Sequence, residues 1–192
     1  MGPRAASTHC ARPLCDRRRK LAIAGILATD MTHHGELTET MRRMTPETAA
    51  AMPGKSLAEC FIHAADLSNP ILPSFPTVYK WAVLVCEEFT QQVALERAAG
   101  YPFAPHMVDL TTPQAIAKLQ LGFVDYVVSP LWVAISTALP ELADAGTFLT
   151  RNRAQWKAIV DGAAPPPGEE ATTPGGRRED GSLAGTEAAP PS

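Results

Sequence analysis

One long segment of regular apolar spacing, residues 76–99, constrains the fold of this chain more than any other feature. Its apolar side chains recur every three or four positions, which is the period of one face of an α-helix. No other stretch alternates apolar and polar residues as a half-buried strand would, and no heptad persists. The pattern therefore predicts an all-α fold, a packed multi-helix bundle rather than a coiled coil. The apolar positions of the segment are Val78, Trp81, Ala82, Val85, Phe89 and Val93.

The other helices are predicted from the same period and from the residues that start or end helices. Ser56 and Thr112 are expected N-caps, because a hydroxyl oxygen accepts a hydrogen bond from the first helical turn. The segment "PETAAAMPG" is expected to be a loop because of its prolines and glycine. Pro130 is expected to interrupt the helix that Thr112 begins, because proline has no N–H to donate. The remaining predicted helices cover about residues 17–34, 36–44, 55–66 and 141–159.

The two ends of the chain lack this helical pattern of apolar residues. Residues 1–16 show no periodicity and are expected to be an unstructured N-terminus. Residues 161–192 are rich in Pro, Gly, Glu and Thr and have almost no large apolar side chains. Such a segment buries too little surface to offset its chain entropy, so a disordered tail is predicted. One helical domain over residues 17–160 is left.

Charge and cysteine content argue against several kinds of partner. A net charge of −3 is not that of a nucleic-acid surface or a polybasic membrane patch. The run "RRRKLAIAGILA" has an apolar stretch of only eight residues, too short to span a membrane, and is interpreted as a buried helix rather than a signal anchor. The four cysteines, at positions 10, 15, 60 and 86, form no CxxC pair. We expect an intracellular, cytoplasmic setting, either alone or within a larger membrane-associated protein.

The stretch "HAADLSNP", residues 63–70, places an aspartate at the end of a predicted helix. A carboxylate there faces the negative end of the helix macrodipole, which is unfavourable unless a cation offsets it. Asp66 is therefore either a metal ligand or a turn residue that bonds the following backbone, and local sequence favours the turn. His63, one turn earlier, is either a second ligand or a core histidine.

A second candidate site is the segment "KLQLGFVDY", residues 118–126. Gln120 and Phe123 stand three positions apart, so they share one face of a helix that is otherwise apolar. A buried glutamine amide needs hydrogen-bond partners, and a planar base such as a purine would supply them while Phe123 stacks on its ring. The alternative is a glutamine bonded to a neighbouring backbone group.

The pair Glu87 and Glu88 in "CEEF" points in two directions on the predicted helix, about 100° apart. At least one of the two is expected to reach inward. The alternative is a solvated pair.

Six segments, in this order and at near-family spacing, resemble the catalytic domain of class I cyclic-nucleotide phosphodiesterases over about residues 17–160. The resemblance implies that domain's all-α fold. It also implies hydrolysis of cyclic AMP or cyclic GMP to the 5′-monophosphate at a site with two divalent metals, zinc and magnesium. The segments are "LATDMTHH", "HAADLSNP", "WAVLVCEEF", "PFAPHMVD", "LQLGFVDYVVSPLW" and "NRAQW".

The resemblance also implies roles for individual residues. Asp66 matches a zinc ligand, which reverses the local preference for a turn residue and leaves His63 as a core residue. Glu88 matches the glutamate that orients the general-acid histidine, which this chain does not contain at a matching position. Gln120 and Phe123 match the residues that bond and stack on the base. Further substrate-binding positions are Asn69, Met31, Trp81, Val85, Phe89 and Met107.

The sequence also departs from the family pattern. The HNxxHAxD-type motif, which supplies further metal ligands and the bridging aspartate, has no match here, so the domain is expected to be incomplete at its N-terminal side. The family's "FxxQGD" run reads "FTQQVA". One ligand does not hold zinc, because such sites need three or four, so this chain alone is expected to bind neither metal and to be inactive.

Two other functions remain open. The chain could be a non-catalytic cyclic-nucleotide-binding protein that keeps the pair Gln120 and Phe123. It could also be a plain helical interaction module. In either case the apolar faces that an incomplete domain exposes favour a partner, which would be a missing N-terminal half or another copy of the chain.

Overall fold

A computed structural model describes residues 12–168 of the chain, so residues 1–11 of the predicted unstructured N-terminus (1–16) and residues 169–192 of the predicted tail (161–192) lie outside the described range. The described residues form helices and turns, with no strand among them. The all-α prediction is therefore confirmed. The helices are α1 (Arg12–Ala28), α2 (His34–Arg42), α3 (Pro46–Ala51), α4 (Gly54–Asp66), α5 (Phe75–Ala98), α6 (Pro113–Phe123), α7 (Ser129–Ala138) and α8 (Ala143–Val160).

The N-terminal helix starts earlier and ends earlier than predicted. Helix α1 begins at Arg12, so residues 12–16 are helical rather than unstructured. It stops at Ala28, and a short 3₁₀ turn, Met31–His33, separates it from α2. Asp30 produces this break, because its carboxylate accepts a 2.9 Å hydrogen bond from the Thr32 N–H and caps the turn.

The segment predicted as a loop after α2 contains helix α3. Thr45 and Thr48 form a reciprocal capping box, in which each hydroxyl accepts a hydrogen bond from the other residue's N–H, at 3.3 and 2.7 Å. Pro46 occupies the first helical position, where its missing N–H costs nothing. The next helix, α4, begins at Gly54, so Ser56 lies inside it and is not the predicted N-cap.

Pro130 does not interrupt its helix. Helices α6 and α7 are joined by a π-helical turn, Val124–Val128, in which the Ser129 N–H donates to the Val124 carbonyl. The wider π turn accommodates a proline that an unbroken α-helix would resist. The predicted cap at Thr112 is confirmed, since its hydroxyl accepts a 3.1 Å hydrogen bond from the Ala115 N–H.

Helix α8 lies at the centre of the packing. It packs against α6, α7 and a 3₁₀ turn, Asn69–Ile71, that follows α4. Its Trp156 is fully buried, edge-on to Phe75 with ring centroids 4.9 Å apart and stacked on Tyr79 at 5.5 Å. After α8, residues 161–168 form turns in which Pro166 is buried, so this first part of the predicted disordered tail is ordered.

One helical stretch in the described part of the chain, Pro113–Ala138, is long and apolar enough to cross a membrane by length and composition. The same is true of many core helices. Val124, Val128 and Leu131 in this stretch are fully buried against the rest of the bundle. These three side chains belong to the hydrophobic core of the bundle.

Candidate functional site

Gln120 and Phe123 lie at the end of α6, on the face that their spacing predicts. Gln120 is 8% exposed as a residue, and within residues 12–168 its amide makes no hydrogen bond, although its amide atoms are not among the fully buried ones. This argues against a glutamine bonded to neighbouring backbone. Phe123 is half-buried and packs against the hydrophobic core. An amide without a protein partner that still reaches solvent, beside an aromatic ring, is an arrangement that can accept a planar ligand.

Asp66 is the last residue of α4, and Asn69 begins the 3₁₀ turn that follows. The Asp66 carboxylate is exposed and has no hydrogen-bond or ion-pair partner among the described residues. It therefore does not bond the turn, as the alternative reading required. A carboxylate at the negative end of a helix macrodipole, with no partner, suits a bound cation.

His63 is a core residue, as the resemblance implied. It is fully buried, and its Nδ1 lies 2.8 Å from the Ala28 carbonyl oxygen. Its Nε2 lies 3.0 Å from Nδ1 of His34. Burial lowers the pKa of His34, the electrostatic interaction with His63 lowers it further, and the Val127 backbone acts the other way. Both nitrogens of His63 are thus engaged, which leaves none to bind a metal.

The residues predicted to line a pocket are spread over three elements. Trp81, Val85 and Glu88 follow one face of α5, with Trp81 46% exposed and Glu88 exposed. Phe89 is half-buried and lies edge-on to His106, with ring centroids 6.2 Å apart. This contact brings it to the 3₁₀ turn that holds Met107, which is buried, whereas Met31 on the turn before α2 is 47% exposed.

Glu87 and Glu88 are both exposed. The expectation that at least one of the two reaches inward is therefore wrong. Neither carboxylate has a hydrogen-bond or ion-pair partner among the described residues. The assignment of Glu88 to the orientation of a general acid stays a prediction.

Sequence reasoning missed the residues through which α8 holds both parts of this site. Arg153 forms a two-pronged ion pair with Asp125, Nε to Oδ1 at 2.5 Å and Nη2 to Oδ2 at 2.8 Å. Its hydrogen bonds lower the pKa of Asp125, which lies two residues after Phe123. Asn152 donates to the carbonyls that follow Asn69. The only signal for either residue was the segment "NRAQW" in the resemblance.

The described residues do not form a metal site by themselves. Within residues 12–168, no group of three or more His, Cys, Asp or Glu side chains is placed to hold a metal ion. Burial raises the pKa of the Cys60 thiol, and it raises the pKa of the Cys86 thiol to about 11, so neither forms a thiolate ligand readily. Asp66 is the one predicted metal ligand, and the described residues do not supply the two further ligands that would complete a group of three around it.

The known proteins below that are similar to this chain are all named as cyclic-nucleotide phosphodiesterases. A family model described as 3'5'-cyclic nucleotide phosphodiesterase matches residues 14–147. A 3',5'-cyclic-AMP phosphodiesterase of Drosophila melanogaster, isoform F, is 33% identical over 161 residues, which cover 78% of this chain and 24% of that protein. The 3',5'-cyclic-AMP phosphodiesterase 4C of Rattus norvegicus is 30% identical over 158 residues, 77% of this chain and 29% of that protein.

A solved structure agrees with these relatives. The phosphodiesterase domain of Salpingoeca rosetta rhodopsin phosphodiesterase superposes with a TM-score of 0.72 and 28% identity. The match covers 81% of this chain and 49% of that domain. The chain thus spans less than a third of the two curated relatives and about half of the solved domain.

Proposed function

This chain belongs to the 3'5'-cyclic nucleotide phosphodiesterase family, and from that premise we propose that residues 12–168 form the base-recognition side of a catalytic domain. In this proposal the Gln120 amide bonds the edge of the base and Phe123 stacks on its face. Asn69 contacts the base from the turn after α4. The pocket is lined by Met31, Trp81, Val85, Phe89 and Met107.

The observation that carries the proposal is the position of Gln120 beside Phe123 at the end of α6, in a residue that is 8% exposed and whose amide makes no hydrogen bond to the described residues. The amide atoms are not among the fully buried polar atoms that lack a partner, so they reach solvent and are open to a ligand. A purine edge would offer hydrogen bonds of about 1 kcal/mol each in place of that solvent. A plain helical interaction module gives no reason for this arrangement, so a cyclic nucleotide is the favoured ligand.

The proposed reaction is hydrolysis of cyclic AMP or cyclic GMP to the 5′-monophosphate, with zinc and magnesium in a complete domain. Asp66 would be one metal ligand and Glu88 would orient a general acid. The described residues do not complete a metal site, so the other ligands have to come from elsewhere, either an N-terminal half or a second chain. We expect the 192-residue chain alone to show no turnover.

Binding is the first test. Isothermal titration with cyclic AMP and cyclic GMP, without metals, should show binding by the wild-type chain. Gln120→Ala should weaken it about fivefold, the equivalent of one hydrogen bond of about 1 kcal/mol. Gln114→Ala is the matched control, because Gln114 is an exposed glutamine on the same helix. Equal affinities of wild type and Gln120→Ala would contradict the proposal.

Turnover is the second test, and it separates an enzyme from a non-catalytic nucleotide-binding protein. The absence of a three-ligand group among residues 12–168 is the observation that favours the latter. The chain is incubated with cyclic AMP, zinc and magnesium, and the 5′-monophosphate is measured. Hydrolysis that a chelator abolishes would refute the expectation that the chain is inactive alone.

A further inference from the structure

Asn152 reaches from α8 to the backbone that follows the Asp66 helix. The side chain is fully buried, and its Nδ2 donates to the Pro70 carbonyl at 2.9 Å and to the Leu72 carbonyl at 2.8 Å. Both hydrogens of the amide are thereby used on acceptors about 80 positions earlier in the chain. The two carbonyls lie on either side of Ile71, so the whole 3₁₀ turn is held at two points.

The turn has little rigidity of its own. Its internal hydrogen bonds are those of a single 3₁₀ turn, from Ile71 N to the Ser68 carbonyl at 3.0 Å and from Leu72 N to the Asn69 carbonyl at 3.4 Å. A single turn of this kind is not stable in isolation. The turn is therefore held from outside, by the packing of Pro70, Ile71 and Leu72 against the core and by the two hydrogen bonds from Asn152.

The Asn152 amide satisfies its donors but not its acceptor. Its Oδ1 is buried without a hydrogen-bond partner among the described residues, which costs stability. Leucine has the same branched shape and number of side-chain heavy atoms, and although it is bulkier it would leave no unpaired acceptor at this position. The donors are what this position supplies.

We propose that Asn152 is a positioning residue of the nucleotide site, which fixes the Asn69 turn in register with Gln120. The proposal rests on the proposed function, because Asn69 and Gln120 are its base contacts. Helix α8 is the common reference for the two, since it packs both against the Asn69 turn and against α6.

The main variant is Asn152→Leu, which keeps the branched shape of the side chain and removes both donors. Thr150→Ala is the matched control, because this exposed hydroxyl bonds only the Gly146 carbonyl of its own helix. Amide hydrogen exchange at Ile71 and Leu72, measured by NMR without nucleotide, should accelerate about tenfold in Asn152→Leu and not in the control. Unchanged exchange would overturn the inference, whatever the wild-type chain binds.

A double-mutant cycle shows whether Asn152 acts through Asn69. Asn152→Leu and Asn69→Ala should each weaken cyclic AMP binding about fivefold, and the double variant should bind no more weakly than either single variant. Asn152→Leu combined with Gln120→Ala should instead lose the product of the two effects. Additive losses with Asn69→Ala would overturn the inference, since a general loss of structure gives that result.

Two further outcomes are distinguishable. If the wild-type chain binds neither cyclic nucleotide, the proposed function fails, and the exchange measurement alone decides whether Asn152 holds the turn. If Asn152→Leu does not fold, Asn152→Ser replaces it, since a serine hydroxyl keeps one donor. Exchange at Ile71 and Leu72 in Asn152→Ser should lie between wild type and a fully released turn, and wild-type exchange there would overturn the inference.

Discussion

Gly25 lies against Ile62 where α1 packs on α4, and a methyl group placed there tests this packing. A Cβ added at Gly25 would lie 3.6 and 3.8 Å from Cγ1 and Cγ2 of Ile62, which is ordinary contact. The same Cβ would approach Ile62 Cδ1 closer than 3.0 Å, so that one methyl has to move. Gly25→Ala therefore sets the helix-forming advantage of alanine against a single steric conflict.

The two effects are close in size. Alanine in place of a helical glycine stabilises by about 0.5–1 kcal/mol. Ile62 is 40% exposed, so its Cδ1 can rotate away, but a side chain driven off its rotamer costs about 0.5–1.5 kcal/mol. In the wild-type background Gly25→Ala should thus change the free energy of unfolding by about zero. In an Ile62→Val background, which lacks Cδ1, the full gain of about 0.5–1 kcal/mol should appear.

Urea unfolding followed by circular dichroism measures this coupling across the four variants. Gly122→Ala is the control, because it is also helical and a Cβ there meets nothing within 4 Å. It should stabilise equally with Ile62 or Val at position 62. If Gly25→Ala also stabilises equally in both backgrounds, the close approach of α1 to α4 at Gly25 is refuted.

Three other perturbations have clear expected outcomes in unfolding experiments. Trp156→Ala should lower the free energy of unfolding by about 3–5 kcal/mol, since the ring is fully buried, and a loss below about 1 kcal/mol would contradict its place in the core. The pKa of His34 is held below its ordinary 6.5, first by burial and then by His63. The stability that His34 contributes is therefore present above pH 6.5 and is lost as the pH falls through the pKa of the folded state. His34→Gln should flatten this part of the plot of stability against pH. The Arg153 hydrogen bonds hold the pKa of Asp125 below its ordinary 3.8, so the stability that this ion pair contributes is lost only as the pH falls below 3.8. If the stability of Asp125→Asn falls with acid as much as that of the wild type, this reasoning is contradicted.

Much of the fold was predictable where the signal was local and long. Helix α5 is 24 residues of regular period, and its predicted start and end differ from the observed ones by a single residue. Helix α3 was missed because its prolines were read as loop signals, although Thr45 and Pro46 are also a cap followed by a first helical residue. Pro130 was misread because a π turn adjusts backbone hydrogen bonding in a way that composition does not reveal.

The candidate site, like the fold, is predictable only where the signal lies within a short stretch of sequence. The shared face of Gln120 and Phe123 follows from a spacing of three, which any α-helix converts into proximity. The hold of Asn152 on the Pro70 and Leu72 carbonyls joins residues about 80 positions apart. Every residue has a backbone carbonyl, so acceptors of this kind leave no mark in a sequence. Contacts from side chain to distant backbone are therefore the part of a site that only a structure supplies.

The pair His34 and His63 shows how such contacts join the helices behind the site. The Ala28 carbonyl oxygen lies 2.8 Å from Nδ1 of His63, and Nε2 of His63 lies 3.0 Å from Nδ1 of His34. Two neutral imidazoles can satisfy both contacts, because one Nδ1–H donates to the carbonyl and the other donates across the pair. A proton added to His34 would place a charge in a partly buried site, and burial accordingly lowers the pKa of His34. The His–His bond ties α4, which ends at Asp66, to α2.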